Sequence, residues 1–332
     1  MLEIDGSHGE GGGQIVRTAL AMSMITGESI KIDEIRANRE NPGLSHQHLM
    51  AIKAAAEIGH AETEGAKKGS DTIIFEPGEI EGGRYSFDIG TAGSITLLLQ
   101  ALIPPALKAE EEFTIKVRGG TDVKWSPPYD YFDKVFLPFL RKMDGNISSE
   151  LIKRGHYPKG GGKIKLDVEP GKLTDLELEE KIEKIKGKAF VTDLPDHIAE
   201  RMKKEALKEF MEFETNIDIE TYSSASPGTG IVLWTTGGKR LGMGVLGEKG
   251  RPAEKVGEEA ATDLRKDIEA EVSLDPNAAD QLIPYLAMID TNGTLTVRKR
   301  TGHLETNIWL VNRFPGMNVE LKDEEKSVQI KY

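Results

Sequence analysis

Apolar residues in this chain follow two rhythms that take turns. Runs with helical spacing at 15–25, 44–58, 94–107 and 131–143 are separated by short stretches, such as 29–32 and 113–118, that predict strands. Residues 35–36 continue the first strand in this reading. Self-comparison gives the order a period of about 80 residues: Gly13 and Gly93 each open a helix, then come a strand, a proline-bearing loop, a second helix and short closing strands. The two loops carry Asn41-Pro42-Gly43 and Ser126-Pro127-Pro128. A third copy follows near the end, with helices at 278–289 and 304–314, a strand at 294–298, and a hairpin at 319–322 and 328–331.

The third copy arrives late, so about 100 residues interrupt the repeat. That interruption has its own order: strand 188–191, amphipathic helix 198–210, strand 217–222, hairpin 231–235 with 241–246, and helix 253–269. The expected fold class is therefore α/β in the α+β sense. Three repeated helix–strand units, each a small β-sheet with two helices, form a body over 1–175 and 275–332. One smaller α+β domain is inserted at 176–274. A continuous doubly wound sheet is the rival architecture, and it leaves the period unexplained.

Composition narrows the setting. At 332 residues, with 38% hydrophobic and 30% charged positions, the chain exceeds the usual single core and suits a large unit with a smaller one. No apolar run approaches the roughly 20 residues of a membrane helix, and residues 5–13 are polar where a signal peptide would be apolar. A cytoplasmic location without a membrane partner is the expectation. The absence of cysteine excludes disulfides, thiolate metal sites and cysteine nucleophiles. A net charge of −12 argues against broad coating of nucleic acid, but leaves room for a small, concentrated grip on one nucleic-acid end.

Candidate chemistry begins at Gly9-Glu10-Gly11-Gly12-Gly13-Gln14-Ile15-Val16-Arg17. Glycines ahead of a helix let backbone N–H groups approach an anion, and a carboxylate one residue away could hold a divalent cation. Such a set suits a metal–nucleotide triphosphate; a plain turn that starts a helix is the other reading. Arg36 and Arg39, on a loop after a strand, could grip separate phosphate oxygens or form a solvated surface pair. A second glycine-rich stretch, Arg154-Gly155-His156-Tyr157-Pro158-Lys159-Gly160-Gly161-Gly162-Lys163-Ile164, lacks the Gly-Lys-Ser/Thr of a Walker loop. Backbone shape and ligand contact are both open for it. His303 lies between a strand and a helix, where it could be a cap or a nucleophile toward phosphorus. Asp280 falls in the first turn of a helix, and Gln100 needs a polar partner within an apolar run. None of the other histidines forms a cluster with zinc spacing.

Taken in order, these stretches resemble the RNA 3′-terminal phosphate cyclase family over the whole chain. The Arg-Gly-x-x-Pro-x-Gly-Gly-Gly-x-Ile arrangement at 154–164 is the most specific match, with Gly9–Arg17, Arg36 to Gln47, Asp280-Gln281 and Gly302-His303-Leu304 in support. The resemblance implies an enzyme that uses ATP and a divalent metal (Mg2+ or Mn2+) on RNA with a 3′-phosphate end. It adenylylates a histidine, passes AMP to the RNA phosphate, and lets the 2′-hydroxyl close a 2′,3′-cyclic phosphate. Carried over by position, His303 is the nucleophile and Glu10 the metal ligand, while Arg17, Arg36 and Arg39 hold phosphates. Gln47 and Gln100 line the nucleotide site, Asn277, Ala278, Ala279, Asp280 and Gln281 border it, and Asp280 matters for activity. Pro127 or Pro128 packs on adenine; some relatives have an aromatic stacking residue where this chain has Asn277. The insert could bind RNA or mediate a homodimer contact. Two alternatives remain: a non-catalytic ribosome-assembly relative that binds RNA, disfavoured by the presence of His303, and an enolpyruvyl-transferase-like small-molecule enzyme.

Overall fold

A computed structural model describes residues 1–332. The first unit runs β1 (Leu2–Asp5), α1 (Gly13–Thr26), β2 (Ile30–Asp33), α2 (His46–Ile58), β3 (Glu62–Glu64) and β4 (Ile73–Glu76). Its sheet has the order β1-β2-β4-β3. The second unit repeats this with β5 (Gly83–Asp88), α3 (Ile95–Lys108), β6 (Phe113–Gly119), a broken helix, β7 (Asn146–Lys153) and β8 (Gly162–Glu169), in the order β5-β6-β8-β7. The broken helix is α4 (Tyr129–Tyr131), a π-turn (Phe132–Phe136) and α5 (Leu137–Lys142), not one regular helix over 131–143 as its spacing predicts.

Between the second and third units lie β9 (Ile182–Thr192), α6 (His197–Lys208), β10 (Glu214–Tyr222), β11 (Gly228–Gly237), β12 (Gly242–Leu246) and α7 (Ala253–Glu269). Their sheet is ordered β10-β9-β11-β12, a different topology from the units around it. The third unit has α8 (Pro276–Leu286), β13 (Thr294–Val297), α9 (Gly302–Val311), β14 (Glu320–Asp323) and β15 (Val328–Lys331), with strand order β13-β15-β14.

Each unit begins one strand earlier than the helix-first repeat read from periodicity. β1 pairs parallel with β2 and β5 with β6, so both units open with a βαβ crossover. In the third unit that opening strand shrinks to a single parallel bridge, Leu274 to Val297. The opening strands are short and half polar, which hid them. Residues 35–36 are also not strand: Arg36 takes φ 57° and begins a loop.

The first helices of the units, α1, α3 and α8, pack together at the centre. Residues Ile15 to Ile25 of α1 are all buried, and Gly27 ends the helix in the left-handed conformation. Each first helix also packs on the second helix of the preceding unit: α3 on α2, α8 on the π-turn, and α1 on α9. This cyclic arrangement brings the two ends of the chain together. A second apolar cluster fills the space between the β9–β12 sheet and α6 and α7. Along β11 the side chains divide by period two: Ile231 and Leu233 enter that cluster, whereas Val232 and Trp234 enter the main core.

Candidate functional site

The glycine-rich loop between β1 and α1 lies over the start of α9. Glycine is needed at Gly9 and Gly11, both at φ 54°. His8 stacks on Trp309, with ring centroids 3.7 Å apart. The Glu10 N–H donates to Thr306 Oγ1 at 3.3 Å, and Gln14 Nε2 donates to the His303 carbonyl at 2.8 Å. Deeper in, Thr18 Oγ1 donates to Asn307 Oδ1 at 2.9 Å. Residues nearly 300 positions apart in sequence are thus fastened side by side. A cleft of about 390 Å³ opens there, lined by His8, Gly9, Glu10, Gly302, Glu305 and Thr306. A larger hollow of about 580 Å³, lined by residues such as Lys142, Asp144, Lys172 and Asp290, contains none of the candidate residues.

His303 sits in the first turn of α9, behind the N-cap Thr301, whose Oγ1 accepts from Leu304 N at 3.0 Å. The residue is exposed overall. Partial enclosure lowers its pKa below the ordinary value; Glu10 opposes this, whereas Arg17 and Arg39 reinforce it. Glu10 Oε1 stands against Gly302 and Arg39 is bonded to Glu10, so both lie close to the start of α9, while Arg17 acts from within α1. The result is a ring held neutral at physiological pH, with a lone pair available.

Arg39 is exposed, and its Nη2 donates to the Glu10 carbonyl at 2.7 Å while lying 3.4 Å from Glu10 Oε2. Arg17 is buried (9% exposed); loss of hydration lowers its pKa to about 10, partly offset by Asp280. It remains charged at neutral pH. Asp280 is pushed well above the usual carboxylate range by burial and then by Asp275, with Arg17 pulling the other way. Arg36 closes its own loop, donating from Nη1 to the carbonyls of Asn41 at 2.7 Å and Gly43 at 2.9 Å. Behind Gly13 is His48, a residue without an assigned role in the sequence reading. Its Nδ1 accepts from Ser45 N at 3.2 Å, and burial, followed by Arg17 and Arg36, lowers its pKa to about 3.

The remaining candidates form bridges between units. Gln47 Oε1 accepts from Ser94 N at 3.1 Å, joining α2 to the start of α3. Gln100 does have a polar partner: its Nε2 donates to Gln281 Oε1 at 2.8 Å, and Gln281 Nε2 donates to the Asn277 carbonyl at 2.7 Å. Ala278 and Ala279 are fully buried in the core, which leaves neither side chain free to meet a ligand. Pro128 is buried and its ring lies against Gly244 of β12, whereas Pro127 is half-exposed, its carbonyl accepting from Thr96 Oγ1 at 2.8 Å.

Asp275 has no role in the sequence reading, yet it binds three parts of the fold. Its Oδ1 accepts from Asn277 N and Ala278 N at 3.0 Å and from Tyr131 Oη at 2.7 Å, and its Oδ2 accepts from Gly242 N at 3.0 Å. An Asp-Pro pair at a helix start signals the cap but not these distant partners.

No group of three or more His, Asp or Glu side chains is arranged to hold a metal ion unaided. A divalent ion would have to arrive with most of its ligands, as Mg2+ does when phosphates and water complete its octahedron. Glu10, a partly exposed carboxylate beside the glycine loop, fits that supporting part.

A family model described as RNA 3′-terminal phosphate cyclase matches residues 8–321. The chain is 48% identical to the RNA 3′-terminal phosphate cyclase of Methanopyrus kandleri, over 98% of this chain and 96% of that one. It is also 48% identical to that of Pyrococcus furiosus, over 97% and 95%, and 44% identical to that of Archaeoglobus fulgidus, over 97% and 98%. Likeness of this degree over nearly the full length of each relative, together with the matching family model, establishes that this chain belongs to the RNA 3′-terminal phosphate cyclase family.

Proposed function

We propose that this chain converts the 3′-phosphate end of RNA to a 2′,3′-cyclic phosphate with ATP, through a His303–AMP intermediate. The observation that carries the reading is His303 at the start of α9 with Glu10 fastened beside it by the Thr306 bond, Arg39 bonded to Glu10, and Gln14 bonded to the His303 carbonyl.

In the first step, the imidazole lone pair attacks the α-phosphorus of ATP. A P–N bond forms, the bond to the pyrophosphate oxygen breaks, and the other ring N–H releases its proton. An oxygen of the RNA 3′-phosphate then attacks the same phosphorus and displaces the imidazole, which regains a proton. The neighbouring 2′-hydroxyl finally attacks the RNA phosphorus, loses its proton and expels AMP. Such transfers depend on placing and neutralising the phosphates. Arg17 and Arg39 hold phosphate oxygens in this scheme, and Asp280 borders the site near Arg17. Arg36 shapes the loop that presents Arg39, and any direct phosphate contact would come from what its two loop bonds leave over. Gln47, Gln100, Gln281 and Asn277 border the nucleotide, and Pro127 is the proline able to meet the base. Glu10 would hold a divalent ion together with the phosphates, and that ion would supply charge neutralisation. DNA cannot finish the reaction, because only RNA carries the 2′-hydroxyl.

We further infer that 176–274 is a domain inserted into a catalytic body of 1–175 and 275–332, and that the enzyme works in the cytoplasm. None of its helices is long and apolar enough to cross a membrane. The test is incubation with α-labelled ATP and metal, followed by mapping of the adduct. An acid-labile, alkali-stable label on His303, lost in His303→Ala and discharged by 3′-phosphate RNA, is the expected result. Equal labelling of His303→Ala would overturn the assignment. Tight binding of pre-ribosomal RNA without labelling would favour an assembly factor.

A further inference from the structure

A row of like charges crosses the second sheet. Arg118 on β6 is in register with Lys163 on β8, and Lys163 with Lys153 on β7. Neighbouring strands lie about 4.8 Å apart, and like charges directly opposite one another are destabilising. All three are exposed. Arg118 has a carboxylate, Asp88, at 3.0 Å, whereas neither lysine is within ion-pair distance of one. Between Glu150 and Asp167 the sequence contains no acidic residue, in a protein whose net charge is −12.

Two exposed aromatic rings stand at the end of this row. Trp125 is 94% exposed and Tyr157 is 77% exposed. Each is on an anchored loop. Trp125 has φ 62°, and the loop around it is held by Ser126 Oγ donating to the Val123 carbonyl at 2.8 Å and by Tyr129 N donating to Asp122 Oδ1 at 3.2 Å. Tyr157 follows His156, whose ring is buried between the Asp122 carbonyl at 3.2 Å and Thr192 Oγ1 at 2.9 Å. Thr121 N donates to the Gly155 carbonyl at 2.8 Å, tying the two loops together. Lys159, also exposed and without an ion pair, lies in the second loop. The same corner reaches the candidate site: Gly120 bridges Ser94, whose N–H is bound by Gln47.

We propose that the single-stranded RNA leading to the reacting 3′ end runs over this surface. Arg118, Lys163, Lys153 and Lys159 follow its phosphates, and Trp125 and Tyr157 stack on unpaired bases. Exposed rings on anchored loops, beside lysines without an ion pair, are what sequence-independent single-strand binding uses, and a polyanion relieves the repulsion within the row. The inference rests on the proposed RNA-end reaction for its direction but is tested by binding.

The experiment compares labelled 3′-phosphate RNAs of two and ten nucleotides by anisotropy across a salt series, using the full chain and the variants Trp125→Ala, Tyr157→Ala and Lys153→Ala/Lys163→Ala. Each aromatic variant is expected to weaken ten-nucleotide binding about tenfold while leaving the dinucleotide unchanged. The double lysine variant is expected to flatten the log–log salt slope by about 1.4. Labelling with ATP alone should be unchanged in all variants, which also reports an intact fold. Unchanged affinity for the longer RNA would overturn the proposal. So would equal losses for both lengths, or a loss of ATP labelling in Trp125→Ala, which would assign that ring to the nucleotide instead. A parent protein that takes no label yet binds the longer RNA in a Trp125-dependent manner would refute the proposed chemistry and support this surface.

Discussion

Glu10 Oε1 lies 2.5 Å from where a Cβ on Gly302 would stand. The residue before the candidate nucleophile must therefore be bare for the carboxylate from the first glycine loop to sit beside it. The start of α9 meets the side chain of Glu10 there, so a methyl group is admitted only if the carboxylate moves.

Gly302→Ala should accordingly displace Glu10. A methyl group that only pushes aside a flexible carboxylate costs the fold little, but a shift of about 1 Å at a reacting centre can cost on the order of 100-fold in rate. Single-turnover formation of the AMP adduct should fall by about that factor, with the melting temperature nearly unchanged. A variant that labels at the parental rate would show that the close approach has no catalytic meaning.

The pH profile of adduct formation should report His303. Its pKa is depressed from 6.5, so the reactive neutral ring dominates at pH 7 and above, and the rate falls only on an acid limb below that value. Arg39→Ala removes a positive neighbour and should move the limb to higher pH; Glu10→Gln removes a negative one and should move it lower. Rates measured at saturating ATP from pH 4.5 to about 8 would reveal both shifts. A limb unmoved by either change would mean that another group titrates.

Arg154 makes a distinct prediction about stability. It is fully buried, donates to both oxygens of Asp122 at 3.0 Å, pairs with Asp130, and lies over the rings of Phe190 at 3.9 Å and Tyr222 at 4.6 Å. These partners belong to the second unit and to β9 and β10. Arg154→Ala leaves two buried carboxylates with less compensation, so a loss of about 3–5 kcal/mol is expected in denaturant titration. Arg154→Lys should recover only part of it, because an ammonium cannot reproduce the planar fork or the stacking.

Burial raises Asp275 to about 7 from 3.8. An acid whose pKa is higher in the folded state is favoured protonated, so its contribution to stability is full below pH 3.8 and is lost as the pH rises through about 7. Asp275→Asn should remove that slope. It should also lower stability by about 1–3 kcal/mol, since its amide turns a donor toward Gly242 N or toward the helix cap. Unfolding midpoints of parent and variant, compared across that pH range, would check both effects.

Much of the fold was legible because local periodicity and turn chemistry reflect burial directly. The first helices, the hairpin of β14 and β15, and the boundaries of α7 at 253–269 follow from spacing alone. The opening strands β1 and β5 did not stand out, since their partners lie across a helix and the strands themselves are short and half exposed. Gln100 could be recognised as a polar residue wanting a partner, but Gln281 could not be chosen as that partner. Asp275 illustrates the limit more sharply, because its cap is local and two of its four hydrogen bonds come from distant segments.

What the amino-acid order determined by itself was the set of units, the glycine loops and the residue types able to hold phosphate, because each depends on neighbours within a few turns of chain. Only the tertiary structure decided that α1 packs against α9, which sets Glu10, with Arg39 bonded to it, beside the residue before His303. It also decided that Arg36 braces its own loop and that Pro128 is covered by β12. The physical reason is that side-chain environment is a property of three-dimensional packing: desolvation and charge act over ångströms of space, whatever the distance along the chain.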